Sequence, residues 1–223
     1  MRLPLNFAFS ALVWVLGACA HAATPQLYPT GPAEDSSFVR FVDALPDALT
    51  VETDHGAATT LKPQQRDTTW QAVPARTPLQ ATLRTAGRRE ALSVQVEPSE
   101  FVTVAVVPHA GKGGWRVVLG REKPKDFSAL KVSLGAFNAS TRCPSATLKV
   151  AERDTVVLSD VSGSSVQRRQ INAVPLAISL WCGGQPTGVT VDLGVLRPGQ
   201  RWTLIIVDDA PMARILPLLD RMP

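Results

Sequence analysis

The chain has 223 residues, 45% of them hydrophobic and 19% charged, which excludes intrinsic disorder and allows one or two domains with cores of their own. Its 23 basic and 19 acidic residues leave a net charge of +4 with no long basic run. The clustered stripe that nucleic acid requires is therefore missing, and no nucleic-acid partner is expected.

Residues 1–22 read as a secretory signal peptide. Arg2 precedes an apolar run from Phe7 to Gly17, and Ala20-His21-Ala22 supplies a small-x-small cleavage pattern. The run is too short for a membrane span. A second reading of the same segment takes Leu16-Gly17-Ala18-Cys19 as a lipoprotein box with Cys19 as the lipidated residue. Both predict export, and in a Gram-negative cell a periplasmic protein. Export leaves Cys143 and Cys182 as an even pair in an oxidising compartment, where a disulfide is expected. A nucleophilic cysteine would need a nearby histidine, and the mature chain holds only His55 and His109.

From residue 36 onward the apolar residues alternate with period two, as in Leu92, Val94 and Val96, or Val189, Val191 and Leu193. Such segments are half-buried strands, and Pro and Gly punctuate them about every eight to twelve residues. The pattern repeats about 100 residues apart, as a duplicated unit would. Leu79–Leu83 echoes Leu176–Leu180, Gln71-Ala72-Val73-Pro74 echoes Asn172-Ala173-Val174-Pro175, and Ser37–Asp43 opens the first half as Leu130–Phe137 opens the second. The fold class predicted is all-β, with two tandem antiparallel β-sandwich domains at 27–121 and 127–210. A charged, proline-stiffened linker at 122–126 joins them, and a tail at 211–223 contains a short helix interrupted by Pro217.

Sites are harder to find. There is no Gly-x-Ser-x-Gly elbow, no His-Glu-x-x-His, no Cys-x-x-Cys and no calcium-type acidic loop. No catalytic residue, metal or cofactor is therefore assigned. Gly111–Gly114 reads as a hairpin turn with His109 beside it; that histidine is the one handle for a rival reading as an esterase or acetyltransferase. Trp115 and Trp202 share parity with apolar strand neighbours and are expected in the core. Trp70 precedes a proline-rich turn and Trp181 lies on the opposite parity from its apolar neighbours, so both are expected at the surface, as candidates for contact with sugar or a partner protein. A free-standing polysaccharide-binding module is the alternative function these two would support.

Two segments resemble one family. Leu27-Tyr28 followed by proline and small residues, then Ser36-Ser37-Phe38-Val39-Arg40-Phe41-Val42-Asp43, is similar to the mature start of AlgF, the periplasmic alginate biosynthesis protein. Arg168-Arg169-Gln170-Ile171 through Leu180 is similar to a strand pair in the second half of that family. The resemblance implies a non-catalytic adaptor required for O-acetylation of an exopolysaccharide, alginate or cellulose. It would bind periplasmic SGNH-type acetyltransferases and a membrane O-acyltransferase, and the polysaccharide is a further candidate partner. Contact candidates are then Tyr28, in the family-like arm, and the pair Arg168 and Arg169.

Overall fold

The computed structural model describes residues 36–109, 114–125 and 127–221. The expected signal peptide, Cys19 and Tyr28 lie outside them. Every regular element among the described residues is a strand. In the first half these are β1 (Ser36–Asp43), β2 (Leu49–Thr53), β3 (Gly56–Leu61), β4 (Gln71–Pro74), β5 (Leu79–Arg84), β6 (Arg89–Val94), β7 (Phe101–Pro108) and β8 (Trp115–Glu122). The second half holds β9 (Val132–Asn138), β10 (Ala146–Val150), β11 (Val156–Val161), β12 (Gln167–Ile171), β13 (Pro175–Cys182), β14 (Gln185–Val195), β15 (Arg201–Asp209) and β16 (Met212–Leu219).

The eight strands of each half build the same two sheets. The first half has sheets ordered β3-β2-β5-β6 and β4-β1-β7-β8; the second has β11-β10-β13-β14 and β12-β9-β15-β16. Each half is a sandwich, as expected. Most pairings are antiparallel, but β1 runs parallel to β7 and β9 parallel to β15. Gly183 and Gly184, both at positive φ, make the tight β13–β14 turn that non-glycine residues would resist.

The registers fix which residues of the halves correspond. Ala44 N–H donates to the Val106 carbonyl as Ala139 N–H donates to Ile206, and Arg40 lies opposite Thr103 as Gly135 lies opposite Thr203. Arg116 opposite Val107 matches Arg214 opposite Val207. Gln71 pairs with Val39 and Arg169 with Leu134, so Gln71 corresponds to Arg169 and not to Asn172. The sequence echo at that point is out of structural register.

Three hydrophobic cores separate four sheets. Val39, Phe41, Val102, Val104 and Val106 fill the first sandwich; Leu134, Ala136, Leu204 and Ile206 fill the second. The third core lies between the sandwiches. Val42, Ala44, Ala105 and Val107 meet Phe137, Ala139, Ile205, Val207, Leu216 and Leu218 there. Strands β1, β7, β9 and β15 are thus covered on both faces, which explains runs such as Phe101–Val107 that are apolar at nearly every position.

Two expectations are corrected by this third core. The tail forms β16, not a helix, because alternation serves two cores: Ala213 and Ile215 face the second sandwich, and Leu216 and Leu218 face the first. Pro217 is tolerated because β16 ends its sheet, where a missing N–H breaks no inner ladder. The segment at 122–126 is not a free linker at its start, since Glu122 ends β8 with its carboxylate buried against the other half.

Candidate functional site

The two inner sheets face each other with apolar middles and a charged end. Arg40 sits mid-strand in β1 and is 0% exposed. Its Nε donates to Thr103 Oγ1 at 3.1 Å and its Nη1 to Asp220 Oδ1 at 2.8 Å. The guanidinium also lies 4.4 Å from the centroid of Trp70. Arg168 on β12 holds Glu122 with two bonds of 2.7 Å and approaches Asp220 at 3.5 Å. Thr203 Oγ1 donates to Asp220, and Arg201 stands within 4 Å of both carboxylates with Phe127 against its guanidinium plane. Three guanidiniums and two carboxylates, drawn from both halves, therefore share one buried cluster.

The cluster's charges depend on one another. Burial pushes the Arg168 guanidinium toward the neutral form, but the hydrogen bonds and charges of Glu122 and Asp220 outweigh it and hold the proton more tightly than usual. At Arg201 burial dominates, with Arg168 repulsion added, and its affinity for the proton falls. Gly135 leaves room for this arrangement, since a Cβ there would stand 2.6 Å from Arg168 Cζ.

Backbone contacts join the inner sheets at both edges. On one edge Arg121 N–H donates to Ser164 O, and Val166 N–H to Arg121 O. On the other, Trp70 N–H donates to Arg221 O. Across the apolar middle the duplication is reciprocal: Arg116 donates to the Ala139 carbonyl, and Arg214 to the Ala44 carbonyl. A groove opens along each edge. The first, of about 480 Å³, is lined by Arg121, Lys123, Lys125, Ser165, Arg169 and Gln170 among others. The second, of about 360 Å³, is lined by Arg66, Asp67, Leu219 and Arg221 among others.

The charges in the two grooves are disposed differently. In the second, Arg221 binds Asp67 at 2.8 Å, and Arg66 donates to the carbonyls of Asp43 and Leu45. In the first, Arg121 binds Glu100 at 2.9 Å, and Arg168 takes Glu122. Among the described residues Lys123 and Lys125 have no acid within ion-pair distance. Arg169 donates to the carbonyls of Val156 and Val157, at 3.2 and 3.3 Å. Among the described residues five cations stand against two carboxylates, and three of the cations are exposed.

The sequence candidates are placed as follows. Arg168 and Arg169 adjoin the first groove, one buried in the cluster and one exposed on its wall. Trp70, expected at the surface, is 2% exposed. It stacks on Arg40 and meets Phe101 edge-on, at 5.1 Å between ring centroids, and its backbone N–H donates to Arg221 O of the other half, just before β4 begins. Trp181 is half-buried in a separate groove on the second sandwich with Ser179, Pro186 and Thr190, and Lys149 Nζ covers its ring at 3.9 Å. Trp115 is buried and Trp202 half-buried against the second core. Cys143 and Cys182 form the expected disulfide, with Cα atoms 5.3 Å apart. His109 N–H closes the hairpin onto Gly114 O. Among the described residues no group of three His, Cys, Asp or Glu side chains is placed to hold a metal ion.

Sequence reasoning missed Arg40, Glu122, Asp220 and Arg201. The available signal was apolar residues at both parities of the flanking strands, which makes a lone charge in Phe38-Val39-Arg40-Phe41-Val42 a buried one needing a partner.

No family model matches the chain, and no curated protein matches it. Among solved structures it is similar to the C-terminal domain of AlgF from P. aeruginosa, at 25% identity over 40% of this chain and 98% of that one, with a TM-score of 0.34. It is also similar to the Bacillus anthracis TIE protein, at 8% identity over 77% of this chain and 34% of that one, with a TM-score of 0.26.

Proposed function

We propose that this protein is an exported, non-catalytic accessory factor for O-acetylation of an exopolysaccharide, an adaptor that binds the acetyltransferases carrying out the transfer. The reading is supported first by the resemblance of Leu27–Asp43 and Arg168–Leu180 to the AlgF family. One structural observation ties those segments together: although far apart in sequence, they bring Arg40 and Arg168 to the same carboxylate, Asp220. Arg40 and Arg168, one from each segment, thus belong to one architectural centre. The surroundings suit a rigid platform, because a cluster of this kind holds its partners in fixed geometry, with Glu122 and Asp220 both tied to arginines. Chemistry then falls to the partners, the periplasmic SGNH-type acetyltransferases and the membrane O-acyltransferase.

The test is deletion of the gene in a producing strain, followed by measurement of polymer yield and acetyl content. Acetyl content falls sharply while polymer is still made, the wild-type chain restores it, and an acetyltransferase co-purifies with the tagged protein. A deletion strain that makes normally acetylated polymer ends the reading.

A further inference from the structure

We infer that one end of the second sandwich docks on a lipid bilayer with anionic headgroups, through the loops that flank the start of β9 and the end of β14. The registers define that end. Val132 opposite Ile171 and Ser133 opposite Arg201 bring together the start of β9, the end of β12 and the start of β15. Pro175 opposite Val195 adds the start of β13 and the end of β14. Leu130, just before β9, is 81% exposed and Val195 is 72% exposed, and Val174 and Phe127 are exposed beside them. Hydrogen bonds hold these loops against one another: Leu196 N–H donates to Val174 O, Gly199 N–H to Lys131 O, and Lys131 Nζ to Asn172 Oδ1. Val156 opens β11 at the same end, and Leu219 closes β16 there opposite Trp202. Of the seven large apolar side chains exposed among the described residues, only Met212 lies at the other end.

The duplication shows that the fold does not require apolar residues at these places. Gln95 and Val195 each precede a buried residue, Val96 and Leu196, and the backbones of those two bond to Arg76 and to Val174. Arg121 opposite Val102 matches Leu219 opposite Trp202. Arg76, Gln95 and Arg121 of the first half are thus replaced by Val174, Val195 and Leu219 in the second. Exposed apolar side chains gathered in one place mark a surface that meets something outside the molecule.

Exposure and charge select a bilayer as that partner. At such exposure Leu130 and Val195 protrude instead of lining a groove, as side chains do that insert between headgroups. Lys131 follows Leu130, Arg197 stands two residues after Val195, and Lys125 stands two before Phe127. All three cations are exposed, with no acid within ion-pair distance among the described residues. The exposed acids described at this end of the sandwich are Glu152, Asp154 and Asp192. Asp154 takes Lys149, Asp192 accepts the Gly194 N–H, and Glu152 lies in the loop before Val156. Protruding apolar side chains flanked by cations fit the boundary between acyl chains and anionic headgroups.

The experiment sediments the purified protein with vesicles of phosphatidylcholine alone and of phosphatidylcholine mixed with phosphatidylglycerol. The protein co-sediments with the anionic vesicles, and less of it does so as salt rises. Leu130→Asp with Val195→Asp lowers that binding by more than about tenfold. Met212→Asp, at the opposite end, leaves it unchanged. All three positions are exposed, so the unfolding midpoints stay where they are. Lys131→Ala with Arg197→Ala lowers binding about tenfold on anionic vesicles alone. Absence of binding to anionic vesicles overturns the inference. So does binding that survives Leu130→Asp with Val195→Asp, since it would come from elsewhere in the chain. A dimer seen without vesicles and broken by that same pair overturns it in favour of a second copy. Vesicle binding and acetyl content are separate readouts. Lost acetylation without vesicle binding removes the docking surface alone, and vesicle binding with normal acetylation removes the accessory role alone.

Discussion

The two halves share a topology and differ in how they meet the common interface. Where the first half has Arg40 beside Trp70, the second has Gly135 beside Arg168, by the registers of β1 with β4 and of β9 with β12. Each half thus supplies one guanidinium at equivalent places, but from a different strand. The apolar region follows the same logic. Gly120 and Val42 in the first half correspond to Leu218 and Phe137 in the second, and a Cβ on Gly120 would lie 2.5 Å from the Phe137 ring. Small residues on one side accept large ones from the other. Duplicated surfaces that started alike have become complementary, and the contact now fits only one way round.

The sharpest way to break that complementarity is to remove Arg168. Arg168→Ala leaves Glu122 buried without its bidentate partner and takes one of the cations from Asp220, so a loss of about 3–5 kcal/mol is expected by denaturant unfolding. Arg169→Ala, one residue along but exposed, should change stability by less than about 0.5 kcal/mol. Comparable losses from the two would mean that the cluster does not join the halves.

The disulfide belongs to one half only. It joins the loop after β9 to the end of β13, and its sequence separation of 39 gives about 4 kcal/mol in the chain-entropy model. Reduction, or Cys143→Ser with Cys182→Ser, is expected to lower the free energy of unfolding by about that amount. Unchanged stability would show that the second half needs no covalent tie. Gly120→Ala tests the fit between halves: the new methyl must displace Phe137, at a cost of about 1–3 kcal/mol. A neutral result would place slack in the third core.

The smallest expected effect concerns equivalent residues at the ends of β1 and β9. Asp43 Oδ1 accepts the Leu45 N–H as Asn138 Oδ1 accepts that of Ser140. Asn138 also donates to the carbonyls of Cys143 and Val161, whereas burial raises the Asp43 carboxyl to about 6. A carboxyl whose folded value is raised binds its proton more tightly when folded, so its contribution is full below about pH 4 and is lost as pH rises through 6. The effect is on the order of 1–3 kcal/mol across that window. Asp43→Asn should remove this slope from the pH dependence of stability, leaving the remainder unchanged. An unaltered slope would locate the titration elsewhere.

How much of this could be read from sequence follows from what period-two alternation encodes. It reports one buried face, so the sandwich of each half was legible in strands such as β5 and β13. The third core was not, because burial on a second face converts alternation into continuous apolar runs without saying what covers them. Trp70 shows the consequence: its place before a proline-rich turn pointed to the surface, but it is buried against Arg40 and Phe101. Glu122 and Asp220 looked like linker and tail charges because their partners lie on strands far away in sequence. The disulfide was legible because counting cysteines needs no geometry. The charges of the first groove were visible as residues, but only the fold brings Arg169 onto the groove that Lys123 and Lys125 line.

The central claim is that both halves form one folded body through the third core and its charged cluster. Calorimetric unfolding of the purified protein, compared with the van't Hoff enthalpy of the same transition, tests it directly. One transition with equal enthalpies is expected, and Arg168→Ala should lower its midpoint as a whole. Two transitions in the unaltered chain, with only one of them moved by reduction of the disulfide, would contradict it.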